Sequence, residues 1–430
     1  MKRSPLLVIF ITVFIDLVGF GIVIPVLPFY VEGTKFNASP RMVGLLFASY
    51  SIMQLIFTPV LGRLSDRHGR RPILLISLLG TCAGFLILGF ATTLWMLFLG
   101  RIVDGISGGN ISTAQAYIAD ITTPENRAKG MGLIGAAFGL GFTLGPAIGG
   151  ILSKWDVDVF DYHIPGISVP FIFAGLMAFA NATLLYFTLP ETVTPDHPAR
   201  ASAATGRWSQ FFAALKQSRL AFVLVIYFLF VVAFSIMTTS LALFTMYRFG
   251  YDASHNGYLF MYVGIIGVII QGGLIGRLAK AFGELPLVIT GALLFSGSLF
   301  LIPLVGPGSG LIALLGVGGL FAVGNSLATP SLTALASKSV GRSEQGGVLG
   351  ITQSAASLAR AVGPLIQAAL IVDPQLSNIS DPLRRISDRS LLITFWTAAG
   401  IMFAAFLLTV YFARAHASEY GNAEVASASD

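Results

Sequence analysis

Apolar residues run along this chain in blocks of about twenty, each ended by a cluster of charged residues or by Pro and Gly. The blocks fall near residues 6–30, 41–62, 72–92, 94–119, 129–151 and 168–189, then near 220–246, 255–276, 285–304, 310–336, 346–371 and 390–413. About 20 residues rising 1.5 Å each cross a hydrocarbon layer as a helix. Hydrocarbon offers no partner to backbone N–H and C=O groups, so only helices or closed barrels cross it. The blocks do not alternate at period two, which removes the barrel. The pattern predicts an all-α membrane protein with twelve transmembrane helices in two pseudo-symmetric bundles of six.

Composition agrees. Of 430 residues, 55% are hydrophobic and 11% charged, against roughly 25% charged in soluble domains, and the mean hydropathy is +0.81. The longest polar interval, 190–219, reads as a cytoplasmic linker between an N-terminal six-helix bundle (1–189) and a C-terminal one (220–414). Residues 415–430 are small and polar and read as a disordered cytoplasmic tail. With both termini inside, seventeen Lys and Arg residues fall on the cytoplasmic side and seven on the other. That is the positive-inside bias. The pI of about 9.5 therefore reports topology, and no nucleic-acid partner is expected. The first block carries Asp16, exceeds a signal-peptide core and has no small-x-small cleavage site, so it reads as a retained helix. The single Cys82 removes disulfides and paired-cysteine metal sites.

An internal repeat is visible. GRLSDRHGRRP at 62–72 returns as GRLAKAFGELP at 276–286, Gly109-Asn110 as Gly324-Asn325, and Gly145-Pro146 as Gly363-Pro364. The three offsets lie between 214 and 218 residues. A duplicated six-span unit is an architecture in which two halves rock about a site between them near the midplane.

These segments resemble the major facilitator superfamily over essentially the whole chain. Residues 62–71 resemble its loop between helices two and three, RIVDGISGG at 101–109 its helix-four motif, and GFTLGPAIGG at 141–150 its helix-five motif of antiporters. DLVGFGIVIPVLP at 16–28 and AYIADIT at 116–122 are similar to the tetracycline-exporter branch of drug:proton antiporters. The resemblance implies a multi-pass transporter of the inner (cytoplasmic) membrane, with protons as coupling ion and no other cofactor.

A charge in the apolar core costs at least about 2.5 kcal/mol on insertion scales, so intramembrane ionisable residues are functional candidates. Asp16 lies roughly 15 Å into the first helix, Asp104 at similar depth in the fourth, and Arg101 one turn before Asp104. Two acids with one base leave one carboxyl free to hold and release a proton, which makes Asp16, Asp104 and Arg101 a proton-coupling set. The plainer alternative is a static buried ion pair. Arg360, in the eleventh helix, either clamps an anionic group together with Arg101 or snorkels or pairs across the halves. Gln54, Asn110, Gln115, Gln271, Asn325 and Gln353 either contact substrate or tie helices together.

Gly62, Asp66, Arg67, Gly69, Arg70 and Arg71, with Asp120 and Arg127, are expected to form a cytoplasmic gate; the plainer alternative is that the basic residues only fix topology. Asp66 would sit at the positive N-terminus of the eleventh helix near Gln345, with Arg70 pairing Asp120 and Arg127 answering Asp66. The second copy carries Lys280 in place of Asp66, so this latch is expected on one side only. Gly141, Gly145, Pro146 and Gly149 would make helix five an interhelical pivot or a purely structural kink.

The resemblance fails where tetracycline exporters carry a His in helix eight and an acid in helix nine: Gly267 stands at the first position and 285–304 holds no acid. The reading is a proton-coupled exporter of small amphipathic or drug-like compounds, monomeric, and not an enzyme. An organic-anion or sugar carrier using Arg101 and Arg360 is the alternative, and a non-transporting receptor or scaffold a remote one.

Overall fold

The computed structural model describes residues 5–33, 35–159, 162–192, 218–339, 345–377, 379, 381 and 383–415. Most of the expected linker and the expected tail beyond Ala415 lie outside these residues. The described chain forms α1 (Pro5–Glu32), α2 (Pro40–His68), α3 (Arg70–Gly89), α4 (Leu94–Ser107), α5 (Asn110–Ile121), α6 (Pro124–Leu152) and α7 (Val169–Thr188). It continues as α8 (Ser218–Phe249), α9 (Ala253–Ile269), α10 (Ile275–Phe282), α11 (Glu284–Leu301), α12 (Gly310–Lys338), α13 (Gln345–Leu370) and α14 (Asp388–Ala415). Ten stretches among the described residues are long and apolar enough to cross a membrane. The other two apolar blocks form the α4–α5 pair and α13.

Local chemistry marks the starts and breaks. Pro40, Pro124 and Pro170 occupy first-turn positions, where a missing N–H costs nothing. Asp252 caps α9 by accepting from the His255 N–H at 2.8 Å. The repeat has a backbone signature: Gly69, between α2 and α3, has φ +100°, and Gly283, its counterpart between α10 and α11, has φ +77°. A side chain is strained in that region, which is why both copies keep the glycine.

Three features depart from the sequence pattern. The block at 94–119 is not one continuous helix but breaks at Gly108 and Gly109, because α2 crosses there. A Cβ on Gly108 would stand 2.8 Å from the Tyr50 hydroxyl, and one on Gly109 2.8 Å from Leu61 Cδ1. Span eight widens into a π turn at Ile270–Leu274 between α9 and α10. A small antiparallel hairpin, β1 (Val157–Val159) with β2 (Tyr162–Ile164), lies between α6 and α7.

The helices pack in a definite pattern. α1 lies on α6 and α7, α3 on α4 and α7, α8 on α13 and α14, and α11 on α12 and α14. Two large contacts join the first six spans to the last six, α2 against α13 and α6 against α9, and smaller ones set α1 against α8 and α9 and α2 against α8. Both large contacts contain backbone-to-backbone approaches at one end. A Cβ on Gly257 would lie 2.8 Å from Gly150 Cα, and one on Gly44 2.4 Å from the Pro364 carbonyl oxygen. At the opposite end of the α6–α9 contact, beyond Gln271, whose Oε1 lies 4.0 Å from a Cβ built on Gly139, Gly272, Gly273 and Gly276 are exposed, and a Cβ on any of them would meet no described atom within 4 Å. Among the described residues the two sets of spans are therefore in close contact at the end holding Gly44, Gly150 and Gly257, and α6 and α10 are splayed beyond Gln271.

Candidate functional site

The charged residues predicted within the membrane converge on one side chain. Tyr50, on α2, is 6% exposed, and its hydroxyl lies within electrostatic range of Asp16, Asp104, Arg101 and Arg360 together. Arg101 is fully buried on α4; its guanidinium stacks over the Tyr50 ring at 4.2 Å and reaches the Phe47 ring at 5.7 Å. Its Nη1 donates to Asp104 Oδ2 at 3.0 Å, one turn along the same helix. Among the described residues its Nε and Nη2 have no hydrogen-bond partner. Asp104 is 4% exposed and packed so closely on α3 that a Cβ on Gly84 would touch its own Cβ at 2.8 Å.

Asp16 stands differently. It is half-buried on α1, and no Lys, Arg or His among the described residues ion-pairs with it. Its nearest acid is Asp104. Asn110, at the start of α5, faces the Asp16 carboxyl, yet neither its Nδ2 nor its Oδ1 has a hydrogen bond of ordinary geometry. Of the two carboxyl groups, Asp104 is thus bonded to a base, and Asp16 has none among the described residues.

Arg360 comes from the other set of spans. It is half-buried on α13, donates to Ser357 Oγ at 3.2 Å, and faces the hydroxyls of Tyr227 on α8 and Tyr50 on α2. No carboxylate among the described residues pairs with it. Beside these charges runs an aromatic path across the seam. Phe20 contacts Tyr50 at 5.5 Å and Phe142 at 5.6 Å; Phe142 meets Phe234 at 6.3 Å, and Phe234 meets Phe321 at 6.1 Å. Phe20, Phe142 and Phe234 are only partly buried, so they offer apolar faces next to the charged cluster.

The uncharged polar residues divide. Gln54 is structural: its Nε2 donates to the Gly108 carbonyl at 2.9 Å and to the Tyr50 hydroxyl at 3.1 Å, satisfying an acceptor freed by the α4–α5 break. Asn325 accepts from Thr329 Oγ1 at 3.1 Å, and Gln271 lies exposed in the π turn at 3.5 Å from Ser326 Oγ. Gln115 and Gln353 are half-buried.

The helix-five glycines face the first helix. A Cβ on Gly141 would meet Leu17 Cβ at 2.6 Å, on Gly145 the Val18 carbonyl oxygen at 2.6 Å, and on Gly149 that of Ile22 at 2.8 Å. The seam with α9 uses Gly150, Thr143 and the Pro146 carbonyl instead, against Gly257 and Gly264.

The expected gate is centred on Arg70, which bonds the Asp66 carboxylate, Ser65 Oγ at 2.7 Å and Asp120 Oδ2 at 3.1 Å. Gly62 is buried and Arg67 exposed, while Arg71 bonds the Tyr186 carbonyl and lies over its ring. The side chains of Arg127 and of Gln345, at the start of α13, lie outside the described residues. The carboxylate that sits on a helix N-terminus here is Glu191: it accepts from the N–H groups of Arg70 at 2.9 Å and Arg71 at 3.1 Å, at the start of α3.

Sequence reasoning missed Tyr50, Ser357, Glu191 and Glu32, and it read Tyr227 as a lipid-facing or core aromatic. Tyr50 and Ser357 were within reach of it, being one turn from Gln54 and Arg360 on the same helical faces. Glu32 ends α1 at the closed end of the molecule; it is 7% exposed, with both carboxylate oxygens unpartnered and Asp381 its nearest acid.

A sequence model described as Major Facilitator Superfamily matches residues 9–364 and 273–428. The chain is 30% identical over 421 residues to the tetracycline resistance protein, class H, of Pasteurella multocida, covering 96% of each chain. It is 31% identical to multidrug resistance protein 2 of Bacillus subtilis (strain 168), over 86% of this chain and 89% of that one. The crystal structure of the human organic anion transporter MFSD10 (TETRAN) superposes with a TM-score of 0.66 at 25% identity, over 95% of this chain and 99% of that one.

Proposed function

Because the chain belongs to the Major Facilitator Superfamily and is a multi-pass membrane transporter of small molecules, we propose that it is a proton-coupled exporter of small amphipathic or drug-like compounds. It exchanges substrate for protons across the inner membrane by alternating access, carries both termini in the cytoplasm, and performs no chemical transformation. Residues 1–189 and 220–414 are the two rocking halves, joined by the linker.

One observation carries this reading. Asp104 is bonded to the buried base Arg101, whereas Asp16, within electrostatic range of Asp104, has no basic partner among the described residues. An unpaired carboxylate in a low-dielectric site is costly, so it holds a proton or a cation rather than standing bare. Asp16 is accordingly the coupling carboxyl. A cationic substrate group and a proton compete for it, and that competition is antiport. The partly buried phenyl faces of Phe20, Phe142 and Phe234 provide the apolar side of an amphipathic site.

The splayed gap between α6 and α10 is the substrate's entrance from the cytoplasm in this conformation, and the glycine contacts at Gly150, Gly257 and Gly44 are the closed outer gate. The relatives named for tetracycline and multidrug resistance support export as the direction. One observation favours a second reading: Arg360 has no acidic partner among the described residues, and the similar MFSD10 is named an organic anion transporter.

The experiment is transport in proteoliposomes with an imposed pH gradient, comparing cationic drugs, organic anions and sugars. The reading expects gradient-driven movement of amphipathic cations that fails in Asp16→Asn and Asp104→Asn, both proteins still inserting. Full gradient-driven transport by both variants contradicts it; movement of anions or sugars alone favours the second reading.

A further inference from the structure

Two charges at the centre of this membrane protein have no counter-ion of their own. Asp16 on α1 has no basic partner among the described residues, and the guanidinium of Arg360 on α13 is hydrogen-bonded to the neutral Ser357 Oγ. They stand in opposite sets of spans, with Tyr50 in electrostatic range of both. Between the two sets lie the exposed parts of the Phe20, Phe142 and Phe234 rings.

We propose that the substrate is a dipolar ion: an aromatic or polycyclic body carrying one cationic group, held at Asp16, and one acidic group, held at Arg360 between the Tyr50 and Tyr227 hydroxyls. The proposal rests on the proton-coupled export described above and names its substrate class. A purely cationic compound satisfies Asp16 but adds a positive charge to a space where Arg360 is already unneutralised. A purely anionic one satisfies Arg360 but leaves the proton on Asp16, so nothing is exchanged for it. A dipolar ion neutralises both, and its planar acid suits a bidentate guanidinium. The exchange balances: as the cationic group takes its place, the Asp16 carboxyl proton leaves to water, and the local charge at Asp16 is unchanged. The acidic group adds orientation, because it fixes which end of the molecule faces which half.

Three dyes test this in pH-gradient proteoliposomes: rhodamine B, which carries a cationic xanthene and a free carboxylate; its ethyl ester, which lacks the acid; and fluorescein, which lacks the cation. Wild-type protein is expected to move rhodamine B about tenfold faster than either of the others, the scale of one charge-assisted bond. In Arg360→Gln the preference for rhodamine B over its ester disappears, whereas Arg360→Lys, which keeps the charge, retains part of it. Equal rates for rhodamine B and ester in wild type, or a preference that survives Arg360→Gln, overturns the dipolar substrate while proton-coupled export stands. Loss of gradient-driven movement of all three dyes by wild type overturns both. The wild-type comparison needs no variant, so a misfolded Arg360→Gln protein does not shield the proposal.

Discussion

Arg101 Nη1 lies 3.0 Å from Asp104 Oδ2, and its guanidinium sits 4.2 Å over the Tyr50 ring, so this buried base is held by its neighbours on α4 and α2. Its removal strands a buried carboxylate. Arg101→Ala is expected to cost about 3–5 kcal/mol, read as a lower denaturation midpoint in detergent micelles. The double variant Arg101→Gln/Asp104→Asn, which removes both charges, is expected to recover most of that loss. A single variant as stable as wild type, or a double variant worse than the single, contradicts the pairing.

Gln54 spans the break between α4 and α5 by donating to the Gly108 carbonyl at 2.9 Å. In Gln54→Leu that carbonyl loses its donor inside the protein, at about 1–3 kcal/mol. Chemical denaturation in mixed micelles measures it. A change below a few tenths of a kcal/mol would show that water replaces the amide.

The closed end depends on the absence of side chains. A Cβ on Gly257 would stand 2.8 Å from both Gly150 Cα and the Pro146 carbonyl oxygen, backbone that cannot swing aside. Gly257→Leu is therefore expected to hold α6 and α9 apart at this end. In a background with the lone Cys82 replaced by Ser, a cysteine at the buried Ser254 should become reactive to an impermeant maleimide only when Gly257→Leu is present. Equal labelling in both backgrounds contradicts the seam.

Glu191 accepts from the first two N–H groups of α3, across the Gly69 turn. In Glu191→Gln the negative charge at the helix start is lost, at about 0.3–1 kcal/mol, since the side chain is exposed. Amide exchange over residues 70–73 should quicken about 2- to 5-fold. Unchanged exchange there would place the helix start under the control of Arg70 and Asp120 instead.

Much of the architecture was legible because each span must satisfy its own backbone in hydrocarbon, which leaves long apolar blocks as an unambiguous signature. The repeat was legible for a similarly local reason: Gly69 and Gly283 occupy backbone conformations that side chains resist. The break at Gly108 and Gly109 was not, since apolarity continues through it and the cause lies on α2, at Tyr50 and Leu61. Among site residues, Asp16, Arg101, Asp104 and Arg360 stood out by the cost of their charge, and the fold places all four around Tyr50. Tyr50 itself resembles any other aromatic in an apolar run, and only its place one turn before Gln54 marks it. The helix-five glycines carried a clear small-residue pattern, but spacing alone does not say which neighbour they face; they face Leu17, Val18 and Ile22 of α1, while the seam with α9 falls to Gly150 and Thr143. Asp66 carried the expected latch; its carboxylate is bonded to Arg70, and the side chain of Gln345, at its expected partner helix, lies outside the described residues, while Glu191, far away in sequence, accepts from the start of α3.

The central claim is that Asp16 carries the proton exchanged for substrate. Purified protein in weakly buffered solution with a pH-sensitive dye reports it directly: addition of rhodamine B to the wild type should release protons in proportion to dye bound, and Asp16→Asn should bind dye with no release. Stoichiometric proton release by Asp16→Asn, equal to that of the wild type, would contradict the account.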